Sequence, residues 1–286
     1  YETVVGYFIE ASACTAAHPH GPEVIVLDRP PLLGGEAMQG PVSDTPASYI
    51  NYMPEPVRNG MTLGELARLF HGTIPRGCSR TRPDGKPVTG PDIDAWLSVV
   101  KMEGWKREEF FDETGVRWVN PSPNLRSVEE AVLYPGLGML DATNVSVGRG
   151  TATPFEVFGA GWMSGKAVAD FLTARKIPGV TFEATRFAVA ETPERYPGHG
   201  KTIDGVRMAV TDRAALDSPE MGIEVLNALH HLYPKEFQLQ KAAGLVANTE
   251  TMDGLERGDD PRIIAQGWAA GLVAFEARRE RCLLYH

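Results

Sequence analysis

Between Trp118 and Glu156 the chain runs WVNPSPNLRS, then LYPGLGMLDATN, then VSVGRGTATPFE, a polar block punctuated by glycine and proline. It holds Asn120, Asn124 and Asn144, together with Arg126, Arg149 and several small hydroxyls. Amide and guanidinium side chains present forked donors and acceptors, which match a ligand rich in hydroxyl, amide and carboxylate groups. A sugar has that character, and the block reads as a polar ligand site on rigid loops. In SVGRGT, Arg149 lies between two glycines, where backbone can approach a ligand closely.

Carboxylates stand beside these turns: Asp28, Glu55, Glu103, Asp141 and Glu156. Hydrolysis of a glycosidic bond generally uses two carboxyl groups, one protonated and one ionised. Asp141 and Glu156 bracket the densest polar stretch and rank first for that work. Most surface carboxylates are only solvated charges, which is the competing interpretation for each. Trp105, Trp118 and Trp162 offer platforms for a sugar face, although core packing accounts for a tryptophan more often. His199 sits in a glycine-rich loop, PGHGK, within reach of a cleft. His18/His20 and His230/His231 lack metal-ligand spacing, and no metal site is expected. Neither a GxSxG elbow nor a GK[ST] phosphate loop is present, so serine-hydrolase and nucleotide chemistry find no support.

The elements that must carry these groups follow from periodicity. Residues 2–17 read as a helix and EVIVLD at 23–28 as a buried strand, the alternation of a parallel α/β sheet. Asp28 and Arg29 then fall at the carboxyl end of a strand, where open α/β sheets bind ligands. Residues 30–60 read as a long ordered loop. Thr62 and Glu65 have capping-box spacing, with Leu63, Leu66, Ala67 and Phe70 on the helix's inner face. Residues 72–94 form a polar excursion, 96–102 a second strand, and KREEFFDETG a helical turn. Ser164 caps another helix, which ends at Pro178-Gly179. Two strands around the His199 loop, a helix with Pro219 in its first turn and a closing helix from Pro261 follow. The expected architecture is α/β: a Rossmann-like parallel-sheet domain over 1–165, N-terminally incomplete, then a smaller α+β domain over 166–286.

Bulk properties narrow the function. The chain has 286 residues, 43% of them hydrophobic and 23% charged, enough for two cores. A net charge of −9 without any basic run argues against nucleic acid as a partner. No apolar run is long enough for a membrane span. Cys14, Cys78 and Cys282 are odd in number and far apart, which suits isolated thiols rather than a disulfide framework or structural zinc. The start at Tyr1 is expected to mark a processed or truncated product.

Several segments together resemble one family. DRPPLLGG (28–35), QGP (39–41), PEPVRNGMTLGELARLF (54–70), WVNPSPNLRS (118–127), LYPG (133–136) and TNVSVGRGT (143–151) are similar to the exo-β-N-acetylmuramidases of peptidoglycan recycling, the NamZ-like hexosaminidases. GVRMAVTDRAALDS and the terminal ARRERCLLY resemble that family's smaller second domain, so the likeness covers essentially the whole chain.

The resemblance implies a Rossmann-like catalytic domain with its active site in a cleft against the C-terminal domain. It implies cofactor-free release of terminal N-acetylmuramic acid from non-reducing ends of peptidoglycan fragments, and an extracytoplasmic setting. Carried over by position, it points to Asp28, Arg29, Arg58, Asn120, Ser122, Asn124, Asn144, Arg149 and Thr151 as cleft residues. An asparagine would hold the acetamido group and an arginine the lactyl carboxylate. Family members usually carry a further N-terminal stretch with a Gly-Pro-Glu-His-Gly segment, whose glutamate is a strong catalytic candidate. That stretch is not in this sequence. Gln39, Asn59, Ala152 and Asp141 stand where Glu, His, Asp and Glu are common. The rival expectation is a muropeptide-binding fragment without the catalytic acid.

Overall fold

A computed structural model describes residues 2–13, 22–73, 97–190 and 192–286; Cys14, His18, His20, Cys78 and most of the 72–94 excursion lie outside them. Helix α1 (Glu2–Ala13) turns Gly6, Ile9, Ser12 and Ala13 inward. Strand β1 (Val24–Leu27) forms from the apolar run and pairs in parallel with β4 (Leu97–Val100). Between them come β2 (Gln39–Val42), β3 (Pro56–Arg58) and α2 (Leu63–Thr73). The expected capping box is present: the Glu65 amide donates to Thr62 Oγ1 at 3.2 Å, and the Thr62 amide to Glu65 Oε2 at 3.0 Å. Gly64 lets this helix start close to the strand ends. A Cβ there would meet Val99 Cγ1 at 2.6 Å and Asp28 Cγ at 2.8 Å.

Two expectations need correction here. Residues 30–60 are not free of regular structure, because β2 and β3 pair antiparallel, Gln39 opposite Arg58 and Val42 opposite Pro56. Their sequences have little strand propensity; tertiary packing makes them, with Gly40 lodged between Val57 and Pro219. The polar block likewise contains a helix, α3 (Val128–Leu137), whose N-cap Ser127 accepts from the Glu130 amide at 3.1 Å. Pro135 sits inside α3, and Pro/Gly content masked the helix in the sequence. The next amide, of Gly136, donates instead to Ser218 Oγ at 3.0 Å.

Downstream, β5 (Val157–Gly159), β6 (Val180–Ala188) and β7 (Thr202–Val210) form an antiparallel sheet in the order β5-β7-β6. Helix α4 (Gly165–Arg175) begins at the expected Ser164 cap. Helix α5 (Ser218–Leu232) crosses α3 where Gly136 meets Gly222; a Cβ on Gly136 would fall 2.0 Å from the Ser218 carbonyl oxygen. Short helices α6 (Ala243–Val246) and α7 (Thr249–Arg257) follow. The closing helix is broken into α8 (Pro261–Gln266) and α9 (Ala269–Arg279). At the break, buried Trp268 donates its indole N–H to Thr251 Oγ1 at 2.9 Å.

The result is a mixed α/β fold with a parallel strand pair and two buried clusters. The larger runs from Val128 to Trp268 and includes both flanks of residue 165. The smaller joins α1, β1 and α2 to Phe275 of α9. The end of the chain is tied to the first strand. Tyr285 Oη donates to Asp28 Oδ2 at 2.7 Å, the Leu284 amide to Glu65 Oε1 at 2.9 Å, and Arg107 Nη2 to the Tyr285 carbonyl at 2.9 Å.

Candidate active site

The loop before β5 is shaped by Gly148 and Gly150, both at positive φ on either side of Arg149, and by Phe155, buried at φ 62°. A left-handed phenylalanine costs about 1–3 kcal/mol. Here it puts an aromatic face under Arg149, whose guanidinium carbon lies 5.1 Å from the ring centroid. Arg149 grips Asp141 with two nitrogens: Nε is 2.8 Å from Oδ1 and Nη2 is 2.5 Å from Oδ2. Tyr196 Oη donates to Asp141 Oδ1 at 3.3 Å. Burial pushes the Tyr196 phenol well up, and the Asp141 charge adds to the effect. Both Asp141 oxygens are therefore engaged, by Arg149 Nε and Tyr196 Oη on Oδ1 and by Arg149 Nη2 on Oδ2.

Facing this pair is Tyr134 of α3, which packs edge-on against Phe155 and remains 44% exposed. Burial raises its phenol pKa, with Arg149, Asp141 and Glu2 all in electrostatic reach. Glu2 lies in the first turn of α1, and its charge acts on Tyr134. The Asn59 amide nitrogen donates to Glu55 Oε2 at 3.0 Å. The Met61 amide donates to Asn59 Oδ1 at 3.0 Å and so fixes which end of the amide faces Glu55.

Burial raises both carboxyls. Glu55 goes furthest, with the Glu2 charge adding to burial against the Asn59 amide and the Arg278 guanidinium. Two like charges in one site favour a shared proton. Burial and then Glu130 also raise Glu156, while Arg207, 3.7 Å away, lowers it.

Asp141, Asn144 and Tyr196 line a cavity of about 630 Å³, with Gly161, Trp162, Arg195, Lys201 and Lys241 among its other residues. Of the residues expected to act, Asp141 and Asn144 line it, and Arg149 is joined to it through Asp141. Asn144 spends its amide on the Glu236 carbonyl at 2.8 Å and the Gln238 N–H at 3.0 Å. Thr151 closes the Arg149 turn onto the Gly148 carbonyl at 2.6 Å. Glu156 shares no partner with Asp141 among the described residues.

Asp28 is a keystone of the fold, accepting from Thr62 Oγ1, the Gly64 amide and Tyr285 Oη; Arg29 is exposed beside it. Arg58 is held by Gln39 and the Leu33 carbonyl, its guanidinium carbon 5.7 Å from the Phe110 ring centroid. Asn120 accepts from Trp118 Nε1 at 3.0 Å, and Ser122 accepts from the Asn124 amide at 3.3 Å. Sequence reasoning did not find Glu2, Tyr134 or Tyr196. Glu2 lies in an ordinary helical first turn, and the tyrosines' neighbours come from distant segments.

The described residues define a class: mixed α/β proteins with a parallel strand pair and a polar cavity lined by Asp141, Arg195, Lys201 and Lys241. Comparison with known proteins is more specific. Residues 1–129 match the N-terminal family of exo-beta-N-acetylmuramidase NamZ, and residues 132–285 match its C-terminal family. The chain belongs to the NamZ family.

It is 35% identical over 279 residues to the peptidoglycan beta-N-acetylmuramidase NamZ of Bacillus subtilis (strain 168), covering 96% of this chain and 62% of that protein. Two DUF1343 family proteins of Bacteroides fragilis NCTC 9343 share its fold. BF0371 superposes with a TM-score of 0.81 at 26% identity, over all of this chain and 71% of its own. BF0379 gives 0.73 at 23% identity, with the same coverage.

Proposed function

We propose that this chain acts as an exo-glycosidase, releasing terminal N-acetylmuramic acid from the non-reducing ends of peptidoglycan fragments. The activity named for the Bacillus subtilis relative supports this. The observation that carries it is the polar cavity whose carboxylate, Asp141, is held by Arg149 and Tyr196, in a chain that also carries Glu55, a carboxyl whose pKa is raised by burial and by Glu2. Glycoside cleavage generally uses one carboxyl group that holds its proton and one that does not.

Glu55 protonates the departing glycosidic oxygen. Asp141, held by Arg149 and Tyr196, steadies developing positive charge on the sugar ring or orients water. Glu156, the acid expected from sequence, is second to Glu55, since Arg207 works against its proton. The chemistry is assigned to residues 1–165, a Rossmann-like unit, and residues 166–286 close the cleft through Tyr196. Asp28, Arg29, Arg58, Asn120, Ser122, Asn124, Asn144 and Thr151 shape or support it. Peptidoglycan fragments as substrate support an extracytoplasmic setting.

The test is hydrolysis of a chromogenic N-acetylmuramic acid glycoside beside the N-acetylglucosamine equivalent. Release from the muramic substrate is expected, with Glu55→Gln lowering kcat by about 10²-fold or more and Glu156→Gln having less effect. Binding of N-acetylmuramic acid without release would make the chain a muropeptide-binding unit that lacks its acid.

A further inference from the structure

Arg149 is one of three arginines, with Arg29 and Arg58, that the resemblance points to as cleft residues, and Asp141 occupies its Nε/Nη2 edge and matches its charge. A ligand carboxylate would gain more from cations that no carboxylate has matched. The cavity beside the pair supplies them. Arg195, Lys201 and Lys241 all line it, and none forms a side-chain ion pair among the described residues. Asp204, three residues from Lys201, pairs with Arg186 at 2.9 Å, and no ion pair joins Glu194 or Glu236 to any of the three among the described residues. Among the described residues the carboxylate lining the cavity is Asp141, already matched by Arg149. In a chain of net charge −9, three unspent cations around one cavity mark a place for an anion.

Their positions are built rather than incidental. Tyr196 Oη is tied to Asp141 and accepts from the Val147 amide at 3.4 Å, which fixes the loop carrying Arg195. That loop, between β6 and β7, is closed at its base by the Gly200 amide, 2.7 Å from the Val189 carbonyl, and by the Val189 amide, 3.0 Å from the Lys201 carbonyl. Asn144 clamps residues 236–238, just before the 3-10 turn Leu239–Ala242 that bears Lys241. The same loop that presents Asp141 and Arg149 thus positions all three cations.

We infer that Arg195, Lys201 and Lys241 form the subsite that reads the carboxylate carried on the substrate sugar and so distinguishes an acidic N-acetylhexosamine from its neutral counterpart. The inference rests on the sugar-cleft proposal above. The carboxylate comes from one of two sources: the lactyl ether of the sugar, or a short peptide amide-linked to it.

The experiment is equilibrium binding of N-acetylmuramic acid, N-acetylglucosamine and N-acetylmuramoyl-L-alanyl-D-isoglutamine to the full chain, by titration calorimetry. The same series is run on Arg195→Glu, Lys201→Glu and Lys241→Glu, each checked for an unchanged thermal transition. Expected is at least tenfold tighter binding of N-acetylmuramic acid than of N-acetylglucosamine, falling toward parity in the charge-reversed variants and shrinking from 50 to 500 mM salt. A dipeptide compound that binds like the neutral sugar identifies the lactyl carboxylate as the group read. One that binds as tightly as N-acetylmuramic acid, and loses that affinity in the same variants, identifies the peptide carboxylate. A preference that survives all three reversals overturns the inference and leaves the sugar-cleft proposal standing. Absence of binding by either monosaccharide overturns both.

Discussion

Replacing Asp28 by alanine tests whether the end of the first strand serves ligand or fold. Its carboxylate accepts from Thr62 Oγ1 at 2.7 Å, the Gly64 amide at 2.8 Å and Tyr285 Oη at 2.7 Å. Hydrogen bonds to a charged group contribute about 1.5–3 kcal/mol each, and a buried hydroxyl left unsatisfied costs about 1–3 kcal/mol. Thr62 is fully buried, so its hydroxyl has no water to turn to. The three bonds are not additive, since losing one relaxes the others, and Asp28→Ala is expected to cost about 3–5 kcal/mol. That is a large share of the roughly 5–15 kcal/mol by which a domain is stable. Asp28→Asn keeps an acceptor for Gly64 and a donor for one hydroxyl, and is expected to cost about 1–2 kcal/mol.

The assay is urea unfolding followed by tryptophan fluorescence, with Tyr285→Phe added to complete a double-mutant cycle. A coupling of about 1–2 kcal/mol between Asp28 and Tyr285 is expected. An alanine variant within about 0.5 kcal/mol of the parent that has lost sugar binding would refute the structural role and return Asp28 to the ligand.

Two further outcomes follow from packing and charge. Gly136→Ala sets a methyl 2.0 Å from the Ser218 carbonyl oxygen, so α3 and α5 must part, and unfolding free energy should fall by about 1–3 kcal/mol. Glu55 has its folded-state pKa raised by burial and by Glu2, so the folded state holds its proton more tightly than the unfolded chain. Stability is therefore greatest below the ordinary carboxyl value and is lost as pH rises from there through the raised folded value. Glu55→Gln removes that loss. It should match the parent below about pH 4.5 and exceed it above, in urea titrations from pH 4 to 8.

What could be read in the sequence was local. The Thr62–Glu65 box, the Ser164 cap and the strand at Val24–Leu27 each rest on a few adjacent residues, and the structure contains all three. β2 and β3 escaped notice because Gln-Gly-Pro-Val has no strand character until Pro219 and Val57 pack around Gly40. α3 escaped because its apolar positions are interrupted by Pro135 and Gly136, whose purpose is the close crossing with α5. The candidate site shows the same division. Asp141 and Arg149 are eight residues apart within the polar block that the sequence singles out, although the sequence ranks Asp141 with Glu156. Glu55 and Asn59 are four residues apart, but nothing in the linear order associates Glu2 with them.

The bond from Tyr285 to Asp28 spans 257 positions, and this sets an order of events during synthesis. At about 5–20 residues per second, the ribosome adds Tyr285 on the order of 10–50 s after Asp28. Through that interval the Asp28 and Glu65 carboxylates lack donors that the finished fold supplies, and Arg107 lacks the Tyr285 carbonyl. The larger cluster, whose members end at Trp268, can consolidate first. The smaller one, although residues from α1, β1 and α2 precede the larger cluster in the sequence, waits for Phe275 of α9 and for Leu284 and Tyr285. Of the two clusters, the one that begins to emerge sooner is completed later.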